Sequence, residues 1–230
     1  ETGWYWYTGS IPPKPETQIQ ENGIRYQVDV AHGQKTGFFL DQKFNRQAAA
    51  RIAGGKRVLD CCTHTGSFAL NAAMAGAQRV TALDVSASSL ATARENAILN
   101  GLENRVRFEE RDVFDYLREK IQRHEKEFDY IVLDPPAFTK SRKTLSQAYR
   151  GYQELNTLAM RLLPRGGYLA TCSCSHFMTA ELFSEMLQKA AREAGVTLRQ
   201  IEYRQQACDH PILPSVPETS YLKFWLLQIL

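Results

Sequence analysis

The chain lacks the features that mark several familiar classes. No apolar run approaches the roughly 20 residues of a membrane-spanning helix, and no secretory signal opens the sequence. There is no strong charge excess. Its 28 Lys and Arg against 25 Asp and Glu leave a formal charge of +3, too little to bind nucleic acid by net charge alone. Internal repeats and low-complexity tracts are missing. So is the spacing of a structural zinc site: Cys172-x-Cys174 and Cys208-x-His210 are closer than the two to four intervening residues such sites use, and no metal is expected. Five cysteines, an odd number, accompany a chain that is 43% hydrophobic. With that much core a disulfide framework is not needed, so free thiols and a reducing, cytoplasmic setting are expected. The first residue is Glu rather than Met, so a trimmed N-terminal part is expected.

What is present is an alternation of short apolar runs with helical stretches. Residues 1–22 are aromatic and Pro-rich, as in Trp4-Tyr5-Trp6-Tyr7, and suggest a linker or edge segment. From Gly23 to Leu40, Ile24, Tyr26, Val28 and Val30 alternate with polar residues, predicting a small antiparallel hairpin punctuated by Gly33 and Gly37. Asp41 to Ala53 then has a helical pattern. Strands are predicted at 57–61, 79–83, 106–110, 129–133, 168–172, 196–204 and 221–229. Helices are predicted at 66–75, 87–99, 113–123, 145–163 and 180–194. This alternation implies βαβ units and a seven-stranded, mostly parallel sheet with helices on both faces. The division expected is a β-rich segment with a connecting helix, 1–53, followed by an α/β domain, 54–230.

In such a sheet, ligands bind beyond the carboxyl ends of the strands. Val58 to Phe68 is a strand, turn and helix in which Gly66 is the sole glycine. A pyrophosphate-binding turn needs several glycines for close approach of backbone amides, so a dinucleotide is disfavoured and a nucleoside is not. Asp84 ends the next strand, 24 residues after Asp60, and a carboxylate there suits two ribose hydroxyls. Asp112 follows the third strand, within reach of an adenine amino group. Asp60, Gly66, Asp84 and Asp112 together fit S-adenosylmethionine, although each acid singly could be a helix cap. Thr65, in the same turn, and Pro135, after the fourth strand, join this set.

Two further strand ends carry chemistry. Asp134-Pro135-Pro136-Ala137-Phe138 follows one, and Thr171-Cys172-Ser173-Cys174-Ser175 follows another. A thiolate is the strongest ordinary nucleophile. Carbon 5 of a pyrimidine is not nucleophilic until a thiolate has added at carbon 6, and an acid near nitrogen 3 stabilises the resulting charge. Cys174 and Asp134 suit those roles. Cys172 is expected inside the strand, and Cys61, Cys62 and Cys208 as buried hydrophobes. A rival chemistry, methylation of exocyclic amines, uses Asp-Pro-Pro with an aromatic residue immediately after; here Ala137 takes that place and Phe138 comes one later. Lys140, Arg142 and Lys143 form a basic loop suited to phosphates or simply to solvent, and Arg150-Gly151-Tyr152 is expected further along the same face. A non-catalytic RNA-binding factor on the same scaffold stays open.

From about Glu21 onward the chain resembles the large-subunit (23S) ribosomal RNA cytosine-5 methyltransferases. The resemblance is carried by Gly33-Gln34-Lys35-Thr36-Gly37-Phe38-Phe39-Leu40-Asp41-Gln42, Thr65-Gly66-Ser67-Phe68, Asp134 to Phe138, Ser173-Cys174-Ser175, Asp209-His210-Pro211 and Tyr221-Leu222-Lys223. It implies a Rossmann-like class I methyltransferase domain after a small β-rich one, S-adenosylmethionine as cofactor and 23S ribosomal RNA as partner. It also implies that Cys174 is the nucleophile and that Phe39, Asp41 and Gln42 border the cofactor. The family's N-terminal PUA RNA-binding domain has no counterpart in this chain, so weakened RNA affinity is expected. A homodimer stays open. Related two-cysteine enzymes carry a Cys where Ala137 stands, so the base that releases the adduct is left undetermined. A relative that methylates guanine lacks the thiol, so the base methylated is less determined than the cofactor.

Overall fold

The computed structural model describes residues 16–31, 33–34, 37–139 and 141–230. The aromatic N-terminal stretch, Lys35, Thr36 and Lys140 lie outside the described residues. The hairpin forms one strand earlier than the alternation predicts. Its strands are β1 (Glu16–Glu21) and β2 (Ile24–Asp29), paired antiparallel. Asn22 and Gly23 turn between them with φ of 53° and 82°, the left-handed pair that a two-residue hairpin loop requires. Beyond β2 the chain folds back on itself. A Cβ on Gly33 would lie 2.5 Å from the Asp29 carbonyl oxygen, and one on Gly37 2.3 Å from it. Both positions therefore require glycine for close approach, and neither belongs to a strand. A 3-10 turn at Leu40–Gln42 leads into α1 (Lys43–Ala50), which is shorter than the helix expected over 41–53.

The remaining elements alternate as expected. They are β3 (Arg57–Cys61), α2 (Ser67–Met74), β4 (Arg79–Asp84), α3 (Ala87–Leu99), β5 (Val106–Glu110) and α4 (Val113–Gln122). Then come β6 (Tyr130–Leu133), α5 (Leu145–Leu162), β7 (Tyr168–Ser173), α6 (Ala180–Ala194), β8 (Leu198–Arg204) and β9 (Lys223–Ile229). The side-chain oxygens of Ser86, Asp112 and Thr179 cap α3, α4 and α6, each satisfying an amide that has no partner within its helix.

The seven strands lie in the order β5-β4-β3-β6-β7-β9-β8. β3 to β7 are parallel, and β9 runs antiparallel to both neighbours. The order reverses direction at β3, which has β4 on one side and β6 on the other. That reversal opens a crevice at the carboxyl ends, where an α/β sheet receives its ligand.

Successive strand residues face opposite sides, and the sheet sorts its side chains into two cores. Leu59, Ile131, Leu133, Leu169, Trp225 and Leu227 pack against α4, α5 and α6 through large residues such as Tyr152, Met160 and Phe183. Val58, Val80, Val132, Ala170, Cys172 and Phe224 face the Ala-rich α2 together with α1, α3 and the hairpin. Ile24, Tyr26 and Val28 of β2 belong to this second cluster. A buried ion pair fastens the hairpin there: Arg46 of α1 donates to Glu21 at 2.6 Å, with side chains 1% and 3% exposed. Arg46 also donates to the Phe39 carbonyl at 2.6 Å. The segment at Phe39 to Gln42 is thereby fixed beside the carboxyl ends of the sheet.

Candidate functional site

The turn from β3 into α2 is tightly bent. Cys62, His64 and Gly66 all have positive φ, at 62°, 51° and 86°. Left-handed non-glycine residues cost energy and collect at functional turns. Gly66 has a second reason to be glycine, because a Cβ there would come within 3.2 Å of Ala93 Cβ. The turn is held from within and from β4. The Thr63 amide donates to the Leu83 carbonyl at 2.8 Å. The His64 amide donates to Asp84 Oδ2 at 2.8 Å, and the Ser86 amide to Asp84 Oδ1 at 2.9 Å.

Asp60 is 1% exposed. Its Oδ2 accepts from Thr63 Oγ1 at 2.6 Å and from the Ala69 amide, in the first turn of α2, at 2.9 Å. Burial still pushes its carboxyl up to about 7, and the charges of Asp134 and Asp84 add to that. Asp60 Oδ1 and Thr65 Oγ1 are buried and have no hydrogen-bond partner among the described residues. Asp112 is exposed and caps α4, accepting from the Asp115 amide at 3.1 Å; a carboxylate retains further acceptor sites after one such bond. Two orphaned oxygens and several mutually repelling carboxylates at these strand ends match a ligand that carries positive charge and hydroxyl donors. S-adenosylmethionine, with a sulfonium, an ammonium and a ribose, has that character.

On the other side of the crevice, the Asp134 amide donates to the Cys61 carbonyl. The Asp134 carboxylate receives Gln42 Nε2 at 2.9 Å. Burial pushes its carboxyl up to about 6; Arg46 opposes the rise and Asp41 adds to it. A hydrogen bond from Cys172 also reaches this carboxylate. Cys172 is fully buried in β7 as expected, and burial together with the Asp134 charge raises its thiol well above the usual range. The thiol that the structure brings against Asp134 is therefore the strand residue. Cys174 lies one residue past the end of β7 and is half-buried.

Around Cys174 are groups from distant parts of the chain. Ser175 Oγ is 3.0 Å from Tyr152 Oη. Lys223 Nζ donates to the Ser175 carbonyl at 2.6 Å and to the Tyr221 carbonyl at 2.8 Å. Tyr221 Oη donates to Asp41 Oδ2 at 2.7 Å.

The structure therefore gathers Asp41, Gln42, Asp60, Thr65, Gly66, Asp84, Asp134 and Cys174 around one crevice. Gln42 is occupied at both ends, accepting from Asn45 Nδ2 at 2.7 Å while donating to Asp134. Phe39 makes an edge contact with His64, ring centres 5.2 Å apart, and Pro135 is buried. Arg142 and Lys143 are exposed on a 3-10 turn before α5. Arg142 lines a groove of about 560 Å³ with Leu145, Ser146, Tyr149, Arg150 and Leu182.

Two expectations change. Tyr152 does not share the basic face: it is fully buried, because α5 turns that side into the core. Cys208 is exposed rather than a buried hydrophobe, since it lies in the irregular stretch between β8 and β9. Lys223 reaches the site although the residue pattern assigns it no role there. Its signal is a lone charge opening an otherwise apolar run, Lys223-Phe224-Trp225-Leu226-Leu227.

A doubly wound α/β sheet with acids closing its first two strands, and no glycine-rich phosphate turn, defines a scaffold built around a nucleoside cofactor. The chain belongs to the S-adenosylmethionine-dependent methyltransferase family, whose model matches residues 3–228. It is 47% identical over 216 residues to the ribosomal RNA large subunit methyltransferase I of Shewanella denitrificans, covering 94% of this chain and 54% of that protein. It is 43% identical over 224 residues to the protein of the same name from Escherichia coli O139:H28, covering 97% and 56%. The chain thus spans about half the length of the curated relatives it matches. Among solved structures, a Streptococcus mutans protein described as a SAM-dependent methyltransferase superposes with a TM-score of 0.84 at 27% identity, covering 96% of this chain and 57% of that one. SMU.776, described as a methyltransferase and solved with SAH bound, superposes equally well at 26% identity and the same coverage. Among the described residues no helix is long and apolar enough to cross a membrane.

Proposed function

We propose that the chain is the catalytic part of an enzyme that forms 5-methylcytosine in 23S ribosomal RNA through a covalent adduct on Cys174. The observation that carries the reading is a thiol just past the end of β7 in the crevice where the Asp134 carboxyl, raised to about 6, closes β6. The names of the relatives, ribosomal RNA large subunit methyltransferases, support ribosomal RNA as the substrate. Such a substrate puts the protein in the cytoplasm.

The Cys174 thiolate attacks carbon 6 of the cytosine, forming a carbon–sulfur bond and moving the ring electrons toward nitrogen 3. Asp134 in its protonated form donates to that nitrogen, a role suited to a carboxyl tuned toward neutrality. When bound, S-adenosylmethionine supplies the methyl group that carbon 5 accepts. Loss of the carbon 5 proton to a base then expels the thiolate, nitrogen 3 returns its proton to Asp134, and the aromatic ring is restored. Asp84 would hold the ribose hydroxyls, Asp112 the adenine end, and Asp60, Thr65, Phe39, Asp41, Gln42 and Pro135 the rest of the cofactor pocket. The target base must leave its stack to enter the crevice.

Phe138 favours this chemistry over attack by an exocyclic amine. Its ring packs on Tyr152 with centres 4.5 Å apart and lies against Gly151, where a Cβ would come within 3.2 Å. A ring committed to that packing is poorly placed to stack on a flipped base. Lys140, Arg142 and Lys143 supply phosphate contacts.

RNA with 5-fluorocytosine at the target tests the reading, because fluorine cannot leave as a proton. The wild type and Cys172→Ala should trap a covalent complex, and Cys174→Ala should trap none. Normal methylation by Cys174→Ala would sink the assignment and favour a nitrogen of the base as the acceptor.

A further inference from the structure

The register of β7 with β9 pairs Ser173 with Lys223. Lys223 is 3% exposed. Its Nζ donates at 2.6 Å to the carbonyl of Ser175, so the chain on both sides of Cys174 is tied to one lysine. A second donation goes to the Tyr221 carbonyl. An ammonium has three N–H donors, and these two carbonyls engage two. A buried ammonium has lost hydration that carbonyls only partly replace. Burial draws this lysine down to about 8, and the charge of Cys174 is what acts in the other direction.

The other titratable groups around this point come from several elements. Tyr221 precedes β9 and donates to Asp41, and the charge of Asp209 reaches it. Tyr152 of α5 bonds Ser175, and Cys172 of β7 faces Asp134. Of these, Cys174 is the group whose negative charge answers the lysine.

We propose that Lys223 is a positioning residue that holds Cys174 as a thiolate, orienting the 173–175 turn while its ammonium neutralises the sulfur. The inference rests on the reading of Cys174 as nucleophile. The thiol proton leaves to solvent, the lysine keeps all three of its own, and the resting pair is thiolate and ammonium. The third N–H of Lys223 is left for the sulfur by the two carbonyls. A thiolate beside a cation is formed at lower pH than an ordinary thiol.

The test is alkylation of the protein by iodoacetamide across pH 6 to 10, with each cysteine followed by peptide mass mapping and no RNA present. Exposed Cys208 is the internal reference. The pH midpoint for Cys174 should lie about one unit or more below that of Cys208. It should rise by about one unit or more in Lys223→Met and return in Lys223→Arg, which keeps the charge. A wild-type midpoint at or above that of Cys208 overturns the proposal, and so does an unchanged midpoint in a folded Lys223→Met. If Lys223→Met does not fold, the wild-type midpoint decides. Failure of the nucleophile reading is separate: it would appear as methylation by Cys174→Ala, whatever the alkylation profile.

Discussion

The two sides of the crevice are built in different ways. At the ends of β3 and β4, Asp84 takes amides from His64 and Ser86, 20 and 2 residues away in the chain. Asp60 takes its two donors from 3 and 9 residues away. At the ends of β6, β7 and β9 the partners are remote. Gln42 reaches Asp134 across 92 residues, Lys223 reaches Ser175 across 48, and Tyr221 reaches Asp41 across 180. The first side is preorganised by a short strand–turn–helix unit and a neighbouring strand. The second exists only once α1 and the last antiparallel strand have docked. A local turn can hold acids ready for a cofactor, whereas tuning an acid and a thiol calls for groups from several elements.

Asp84→Ala should have the largest effect, and on the first side alone. It removes two charge-assisted bonds proposed for the ribose, worth on the order of 1.5–3 kcal/mol each. Calorimetry should then show affinity for S-adenosylmethionine weakened by about a hundredfold or more. Unchanged affinity would mean that this carboxylate merely ties the turn.

Asp60 sharpens the comparison through pH. Its carboxyl is raised to about 7 in the fold against about 4 in an unfolded chain. Between those values the native state holds a proton that the unfolded state has lost, so its contribution to stability falls as pH rises from about 4 to about 7. Asp60→Asn should flatten that slope in thermal or urea unfolding of the cofactor-free protein, while weakening cofactor binding. A slope identical to wild type would place the charge repulsion elsewhere.

On the second side, Gln42→Leu removes a donor to the charged form of Asp134 and should raise that carboxyl above about 6. The limb of the pH–rate profile on which activity falls with rising pH should move up by about one unit. A shift of the cofactor affinity with no shift of the limb would reverse the roles assigned to Gln42 and Asp134. The smallest expected effect lies outside both sides. Arg142→Ala with Lys143→Ala should reduce the log–log salt slope of RNA binding by about 1–2, leaving calorimetric cofactor binding unchanged. An unaltered slope would assign the phosphate contacts to other residues.

Residue patterns alone were enough for the alternation of strand and helix, the Gly66 turn and the acids at three strand ends, because each rests on contacts within a few residues or on a single periodicity. The hairpin lies one strand earlier than the alternation of Ile24, Tyr26, Val28 and Val30 predicts, because Asn22-Gly23 is its turn and the strand before it, Glu16–Glu21, is largely exposed and polar. Proximity to strand ends pairs Asp134 with Cys174, yet the pleat points Cys172 toward Asp134 and leaves Cys174 beyond the strand. Periodicity says which residues share a face but not which strand lies alongside, and only pairing β9 between β7 and β8 brings Lys223 to the Ser175 carbonyl, next to Cys174. The amino-acid sequence by itself determined the parallel α/β scaffold, a nucleoside rather than a dinucleotide pocket, and the residue types on its rim. The tertiary structure decided which carboxyls are pushed toward neutrality, which thiol is sealed in the core and which lysine holds the turn beyond β7, because burial and long-range hydrogen bonds belong to the packed chain and not to any segment of it.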